Sequence, residues 1–209
     1  MKINEIFYSI QGEGKLSGLP NIFIRTTGCN LRCKFCDTKY AYTKGEELTI
    51  QNITKQISKY RCKYVCITGG EPLIQKEINE LIKSLLTQNY MISIETNGSQ
   101  SIENISKIDK IMISLDIKCP SSNMHEKMIF ENIYLLKEKD QLKFVVKDRK
   151  DYDYAKIIFN KYKPLCPVFF QPVWGSNSKD LAKWIIDDNL KVKLGLQLHK
   201  IIWGDKKGK

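Results

Sequence analysis

From Pro20 to His199, short apolar runs that stop at glycine, proline or a charged residue alternate with segments of helical periodicity. This rhythm constrains the fold more than any other feature of the chain. "PNIFIRTTG" (Pro20 to Gly28), "KYVCITGGEP", "YMISIETNG", "KIDKIMISLDIKCP", "QLKFVVKD", "CPVFFQPV" and "KVKLGLQLH" read as strands. Between them, "LTIQNITKQISKY" (Leu48 to Tyr60) spaces Ile50, Ile53 and Ile57 along one helical face, with Thr49 as its cap. "LIQKEINELIKSLLTQN", "HEKMIFENIYLLKEKD", "DYDYAKIIFNKY" and "SKDLAKWIIDDN" also read as helices. Such repetition demands right-handed crossovers and a mainly parallel α/β sheet. Chemistry in these sheets gathers at the carboxyl ends of the strands. Gly28, Thr68 to Glu71, Glu95 to Gly98, Asp116 to Lys118 and Gln171 to Val173 all fall there. With no long linker, repeat or low-complexity segment, residues 1–209 are expected to form one domain.

No apolar run reaches the length of a membrane span, and "MKINEIFYS" has no apolar leader, so a cytoplasmic protein with reduced thiols is expected. The net charge of +11 is spread through "TKQISKYRCK", "LLKEKDQLK" and "KYKPL" rather than gathered in a stripe. It reads as a solvated face, and neither direct nucleic-acid binding nor membrane contact is expected. Of the seven cysteines, three crowd into "GCNLRCKFCDT", Gly28 to Thr38. A structural zinc site wants four ligands. Cys62 and Cys66 would lie roughly 13 Å apart along a strand, too far to supply a shared pair, and Cys119 and Cys166 are isolated. Three thiolates can instead hold three corners of a [4Fe–4S] cluster and leave the fourth iron open.

Cys29, Cys33, Phe35 and Cys36, followed by "GGEP" (Gly69 to Pro72), resemble the radical S-adenosylmethionine (SAM) superfamily. Further along, "FYSIQGEG" (Phe7 to Gly14), "FIRTTGCN", "CDT", "ITGGEP", "IETNG", "DIKCPSS", "LKFVV", "QPV" and "QLHK" are similar in order and spacing to the 7-carboxy-7-deazaguanine synthase family of the queuosine pathway. The resemblance covers most of the chain and implies a shortened, partial (β/α)6 barrel. Implied with it is ring contraction of 6-carboxy-5,6,7,8-tetrahydropterin to 7-carboxy-7-deazaguanine with loss of ammonia. A glycyl-radical-enzyme activase also carries GGEP, but "IQGEG" and "CDT" argue against it. An iron–sulfur or zinc regulator of nucleic acid would need neither the GGEP loop nor the converging polar strand ends.

The resemblance also implies roles for individual residues. Cys29, Cys33 and Cys36 would hold the cluster, and Thr38 a Mg²⁺ shared with the substrate. SAM would meet Phe35, Cys36, Asp37, Gly70, Asp116, Ile117, Lys118, Gln171, Pro172, Val173 and Trp174. Phe35 would pack on the adenine, and Gly70 would allow close backbone approach. Ile10, Gln11, Gly12, Glu13, Arg25 and Thr68 would face the pterin, with Arg25 suited to bidentate grip of its carboxylate. The tail "IIWGDKKGK" makes Lys209 the candidate for closing the site, and His199 either lines the site or packs in the core. A flavodoxin or ferredoxin as electron donor and a homodimer complete the expectation.

Overall fold

The computed structural model describes residues 1–208, so the closing role expected of Lys209 lies outside the described residues. The strands are β1 (Lys2–Ile10), β2 (Pro20–Thr26), β3 (Glu46–Glu47), β4 (Tyr64–Gly69), β5 (Met91–Thr96), β6 (Ile111–Lys118), β7 (Gln141–Val146), β8 (Val168–Pro172) and β9 (Lys193–Leu194). The helices are α1 (Ile50–Ile57), α2 (Ile78–Thr87), α3 (Glu103–Ser106), α4 (Asn132–Leu135), α5 (Arg149–Tyr162), α6 (Ser178–Asp187) and α7 (Leu198–Trp203). Among the described residues the strands form one sheet in the order β3-β1-β2-β4-β5-β6-β7-β8-β9. Pairing is parallel from β2 onward, while β1 and β3 add an antiparallel edge. The six longer parallel strands, β2, β4, β5, β6, β7 and β8, are those of a partial (β/α)6 barrel, and no ladder joins the two edges.

The period of two along each strand separates two environments. Ile22, Ile24, Val65, Ile67, Ile92, Ile94, Ile113, Leu115, Leu142, Phe144, Val168 and Phe170 belong to a continuous apolar core together with residues of the helices. Their neighbours one residue along line a polar cavity on the other face, among them Arg25, Thr68, Glu95, Asp116, Lys118 and Lys143. The sheet therefore anchors itself by its helix-facing side and leaves the inner side for chemistry.

Several boundaries differ from expectation, each for a local reason. The Thr49 hydroxyl does cap α1, accepting from the Asn52 amide at 3.2 Å. Helix α2 starts at Ile78, after a separate 3-10 turn at Pro72–Ile74 whose Leu73 amide is taken by the Glu71 side chain at 3.0 Å. The helix expected over "HEKMIFENIYLLKEKD" shrinks to a 3-10 turn, His125–Lys127, and the four-residue α4. Here buried polar side chains stitch loops together instead. Asn132 accepts from Ile102 N and donates to Gln100 O, while Asp140 accepts from Ile113 N and Lys137 N. "KVKLGLQLH" gives only the two-residue β9, because the chain turns at Gly195 and enters α7 at Leu198. Strand β1 was not expected; its inward and outward residues are both only partly buried, which blurs the alternation. No described helix is long and apolar enough to cross a membrane.

Candidate active site

Three sequence-distant loops meet over the carboxyl ends of β2, β4 and β5. The Glu71 amide donates to the carbonyl of Gly28 at 2.9 Å, and the Gln75 side chain donates to Thr27 O at 2.6 Å. A Cβ on Gly70 would collide with the Gly28 carbonyl and with Cys29, so only glycine lets this turn lie against the cysteine loop. Glu71, fully buried, accepts from Thr96 Oγ1 (2.9 Å), Asn97 N (2.6 Å) and Leu73 N (3.0 Å). Burial pushes its carboxyl up to about 7 while those donors pull the other way. The Asn97 side chain reaches the Cys29 sulfur at 3.7 Å. The GGEP turn, the ETNG turn and the cysteine loop are thus one hydrogen-bonded unit.

Cys29, Cys33 and Cys36 line the same wall of the cavity, half-buried, and all seven cysteines are free thiols. Burial raises the thiols of Cys29 and Cys33 above their ordinary range, with Lys118 pulling Cys33 back. Thiols so placed become thiolates on meeting a cation. Among the described residues no three Cys, His, Asp or Glu side chains close on a single ion. The donor set is one that fits three corners of a larger cluster.

Two cavities share this wall. The first is lined by Ile10, Gln11, Gly12, Glu13, Arg25 and Thr68, and by Thr38 and Gly70. The second holds Phe35, Asp37, Gln171, Pro172, Val173 and Trp174. Glu13, Cys33, Cys36, Asp37, Asp116 and Lys118 border both.

The radical SAM superfamily signature matches residues 23–141. The 7-carboxy-7-deazaguanine synthase of Thermoplasma acidophilum is 40% identical over the whole of both chains. That of Methanospirillum hungatei JF-1 is 41% identical, over 97% of this chain and 85% of its own. The chain belongs to the 7-carboxy-7-deazaguanine synthase family. The crystal structure of QueE from Escherichia coli shares the fold, with a TM-score of 0.78 at 23% identity over 95% of this chain and 94% of that one.

Two buried oxygens among the residues that line the second cavity lack a hydrogen-bond partner. The Asp116 Oδ1 and Gln171 Oε1 atoms are buried and accept no hydrogen bond from any described residue, leaving acceptors for ribose hydroxyls or an adenine amino group. Ile117 differs from its expected neighbours: its side chain is fully buried in the apolar core and lines neither cavity. Thr38 donates to Asp37 at 2.8 Å, which leaves its oxygen lone pairs open toward the first cavity.

Arg25 lines the first cavity with its guanidinium held in place from one side. Its Nε donates to Glu5 at 2.7 Å, Tyr40 donates to the same carboxylate at 3.0 Å, and the guanidinium sits over the Phe7 and Tyr40 rings. His199 lines the first cavity directly against Gly12, with burial keeping its imidazole toward the neutral form. A Cβ at Gly12 would strike that ring. Gly12→Ala is therefore expected to keep its iron while losing roughly ten- to hundredfold in kcat/KM, the scale of an overpacked contact. Wild-type kinetics for that variant would show that α7 yields freely.

Glu95 was expected only as one of the polar strand ends, with no role of its own, and the lining residue Lys143 was not singled out in the sequence. Lys143, 3% exposed, pairs with Glu13 (2.8 Å), Glu95 (2.9 Å) and Asp116 (3.5 Å). Gln11 donates to Glu95 at 3.5 Å, and Gln197 donates to Glu13 at 2.9 Å. The signal was available: a charge at the inward position of three adjacent parallel strands breaks the apolar runs expected of a buried sheet.

Proposed function

We propose that this chain makes 7-carboxy-7-deazaguanine, the product for which its relatives are named, from 6-carboxy-5,6,7,8-tetrahydropterin with loss of ammonia. The observation that carries the reading is the pair of cavities that meet at Cys33 and Cys36, with Cys29 lining the first. One is suited to SAM and the other has a cationic end at Arg25 and an acidic floor at Glu13 and Glu95. A [4Fe–4S] cluster and SAM, when bound, supply one-electron cleavage to a hydrogen-abstracting radical.

The chain's own residues do the rest. Arg25 grips the substrate carboxylate, its fork already oriented by Glu5 and the two rings. Glu13 and Glu95 accept from the N–H groups of the amino-pyrimidinone edge, and Gln11 completes that end. Thr38 offers its hydroxyl oxygen to a Mg²⁺ that also meets the substrate. The turn around Glu71 keeps the cysteine wall fixed relative to this cradle, so that one C–H is presented to the radical. A misplacement of ~1 Å would cost on the order of a hundredfold in rate. The enzyme works in the cytoplasm as a homodimer and takes its electron from a flavodoxin or ferredoxin, whose acidic surface suits a chain of net charge +11.

The test is anaerobic incubation of reconstituted protein with SAM, dithionite, Mg²⁺ and the tetrahydropterin, followed by mass spectrometry. The deazapurine acid is expected. SAM cleavage without that product under any reducing condition would leave only a radical SAM enzyme of another substrate.

A further inference from the structure

A lysine in the middle of an inner strand, flanked by Leu142 and Phe144 in the apolar core, is costly unless its charge is matched. Lys143 lies in register with Asp116 on β6 and Phe169 on β8. Its ammonium meets three carboxylates from three separate places: Glu13 on the loop after β1, Glu95 on β5 and Asp116 on β6. An ammonium has three N–H donors and no acceptor. Two of them are donated to Glu13 and Glu95, and the ammonium faces the Asp116 oxygen at 3.5 Å as an ion pair, so the lysine is held among the carboxylates.

Among the described residues, Lys143 is the one cation that forms an ion pair with Glu13 or with Glu95. Lys118 is committed to Asp116 at 3.0 Å, and Arg25 to Glu5 at 2.7 Å. The other titratable groups facing the cavity floor are His199, which burial keeps toward neutral, and Cys66, whose buried thiol is pushed up to about 12. Neither supplies a positive charge.

We infer that Lys143 is a positioning residue for the pterin: it touches no substrate atom and acts by holding Glu13 and Glu95 side by side as paired acceptors. This rests on the reading that the first cavity receives the pterin. The edge of a 2-amino-4-oxopyrimidine presents N–H donors, which only a carboxylate that accepts, not one that donates, can match. Burial works to raise Glu13, but Lys143 outweighs it and holds that carboxyl below the ordinary range. Glu95 is raised by burial, with Lys143 opposing and with Glu13 and Asp116 adding to the rise. Take the ammonium away and the carboxylates repel one another in a desolvated site, so a proton is recruited and one acceptor becomes a donor.

Both effects of removing Lys143 raise the carboxyl pKa values. Affinity for the pterin is present above those values and lost as pH falls through them, so the acidic limb of binding moves to higher pH. Lys143→Met and Lys143→Arg separate charge from shape. Binding of 6-carboxypterin, a fluorescent oxidised analogue, is read by titration between pH 5 and 9, beside KM, kcat, iron content and SAM cleavage.

Lys143→Met is expected to keep its iron and its reductive cleavage of SAM, to lose about 30-fold in pterin affinity, and to shift the acidic limb upward. Lys143→Arg is expected to leave the limb near its wild-type position. If Lys143→Met fails to fold, the double variant Lys143→Met/Glu95→Gln, which removes one charge of each sign, carries the test. It should bind the pterin within about threefold of Glu95→Gln alone, because residues acting as a unit are not additive. Wild-type affinity and an unmoved limb in Lys143→Met, or fully additive losses in the double variant, would overturn the role of Lys143 and leave the enzyme assignment standing. A wild-type protein that neither binds 6-carboxypterin nor makes the deazapurine would remove both.

Discussion

Cys33→Ala is expected to give a folded protein that carries no [4Fe–4S] cluster and cleaves no SAM. Cys33 borders both cavities, so its sulfur would hold a cluster between them. A two-thiolate remnant holds a cubane poorly, and an iron that has lost its protein ligand is no longer held in register with the second cavity. The fold does not depend on this thiol: the core beneath it is built by the outward residues of the strands. Iron should fall from about four per chain toward zero, and 5′-deoxyadenosine formation with it. Cys62→Ala and Cys119→Ala should retain both, since Cys62 lies before β4 and Cys119 is buried in the core, away from the cysteine wall. Equal SAM cleavage by Cys33→Ala and wild type would remove that ligand from the assignment. One zinc per chain after anaerobic purification would remove the cluster.

Arg25→Ala should keep the cluster and lose turnover by a factor on the order of 10² to 10⁴, the loss of two charge-assisted hydrogen bonds to a carboxylate. Removing the guanidinium also strips Glu5 of its cation, although the Tyr40 hydroxyl still donates to that carboxylate. Arg25→Lys separates the two effects. It restores a positive charge beside Glu5 but neither the fork nor the stacking on Phe7 and Tyr40, so folding should recover and turnover should not. Thr38→Ala is the companion variant, expected to lose its stimulation by Mg²⁺ while keeping iron. Undiminished kcat/KM in Arg25→Ala would place the substrate carboxylate elsewhere, and full activity of Thr38→Ala in metal-free buffer would take Mg²⁺ out of the reaction.

What could be read from the amino-acid order was whatever lies close together along the chain. The three cysteines span eight residues and the GGEP turn four, so their chemistry is written in short words. The alternation of apolar strands and amphipathic helices likewise reports a local period, and it yielded the parallel sheet. The acidic floor was not legible in the same way. Glu95 reads as one more polar residue in "SIET", and Lys143 as one more lysine in a lysine-rich chain; only the register between β5, β6 and β7 stacks them. The helix expected through Asn132 failed for a related reason. Periodicity cannot see that the Asn132 side chain is committed to the backbone of a loop 30 residues away. Strand β1 was missed because a strand near the sheet edge, partly buried on both faces, shows weak alternation.

The contacts that finish the two cavities run across nearly the whole length of the chain. Leu198 N donates to Gly12 O at 2.9 Å, Gln197 reaches Glu13, and Lys200 pairs with Asp37 at 3.0 Å. The three cysteines and their supports Glu71, Thr96 and Asn97, by contrast, all lie in the first half of the chain, with one later tie from Lys34 N to Ser122 O at 3.1 Å. Order of synthesis therefore divides the molecule into two stages. A ribosome-bound chain that has emerged through β5 holds every ligand of the metal end. The segment that encloses the pterin follows about a hundred residues later, and the added loop length raises the entropy of closure only slowly.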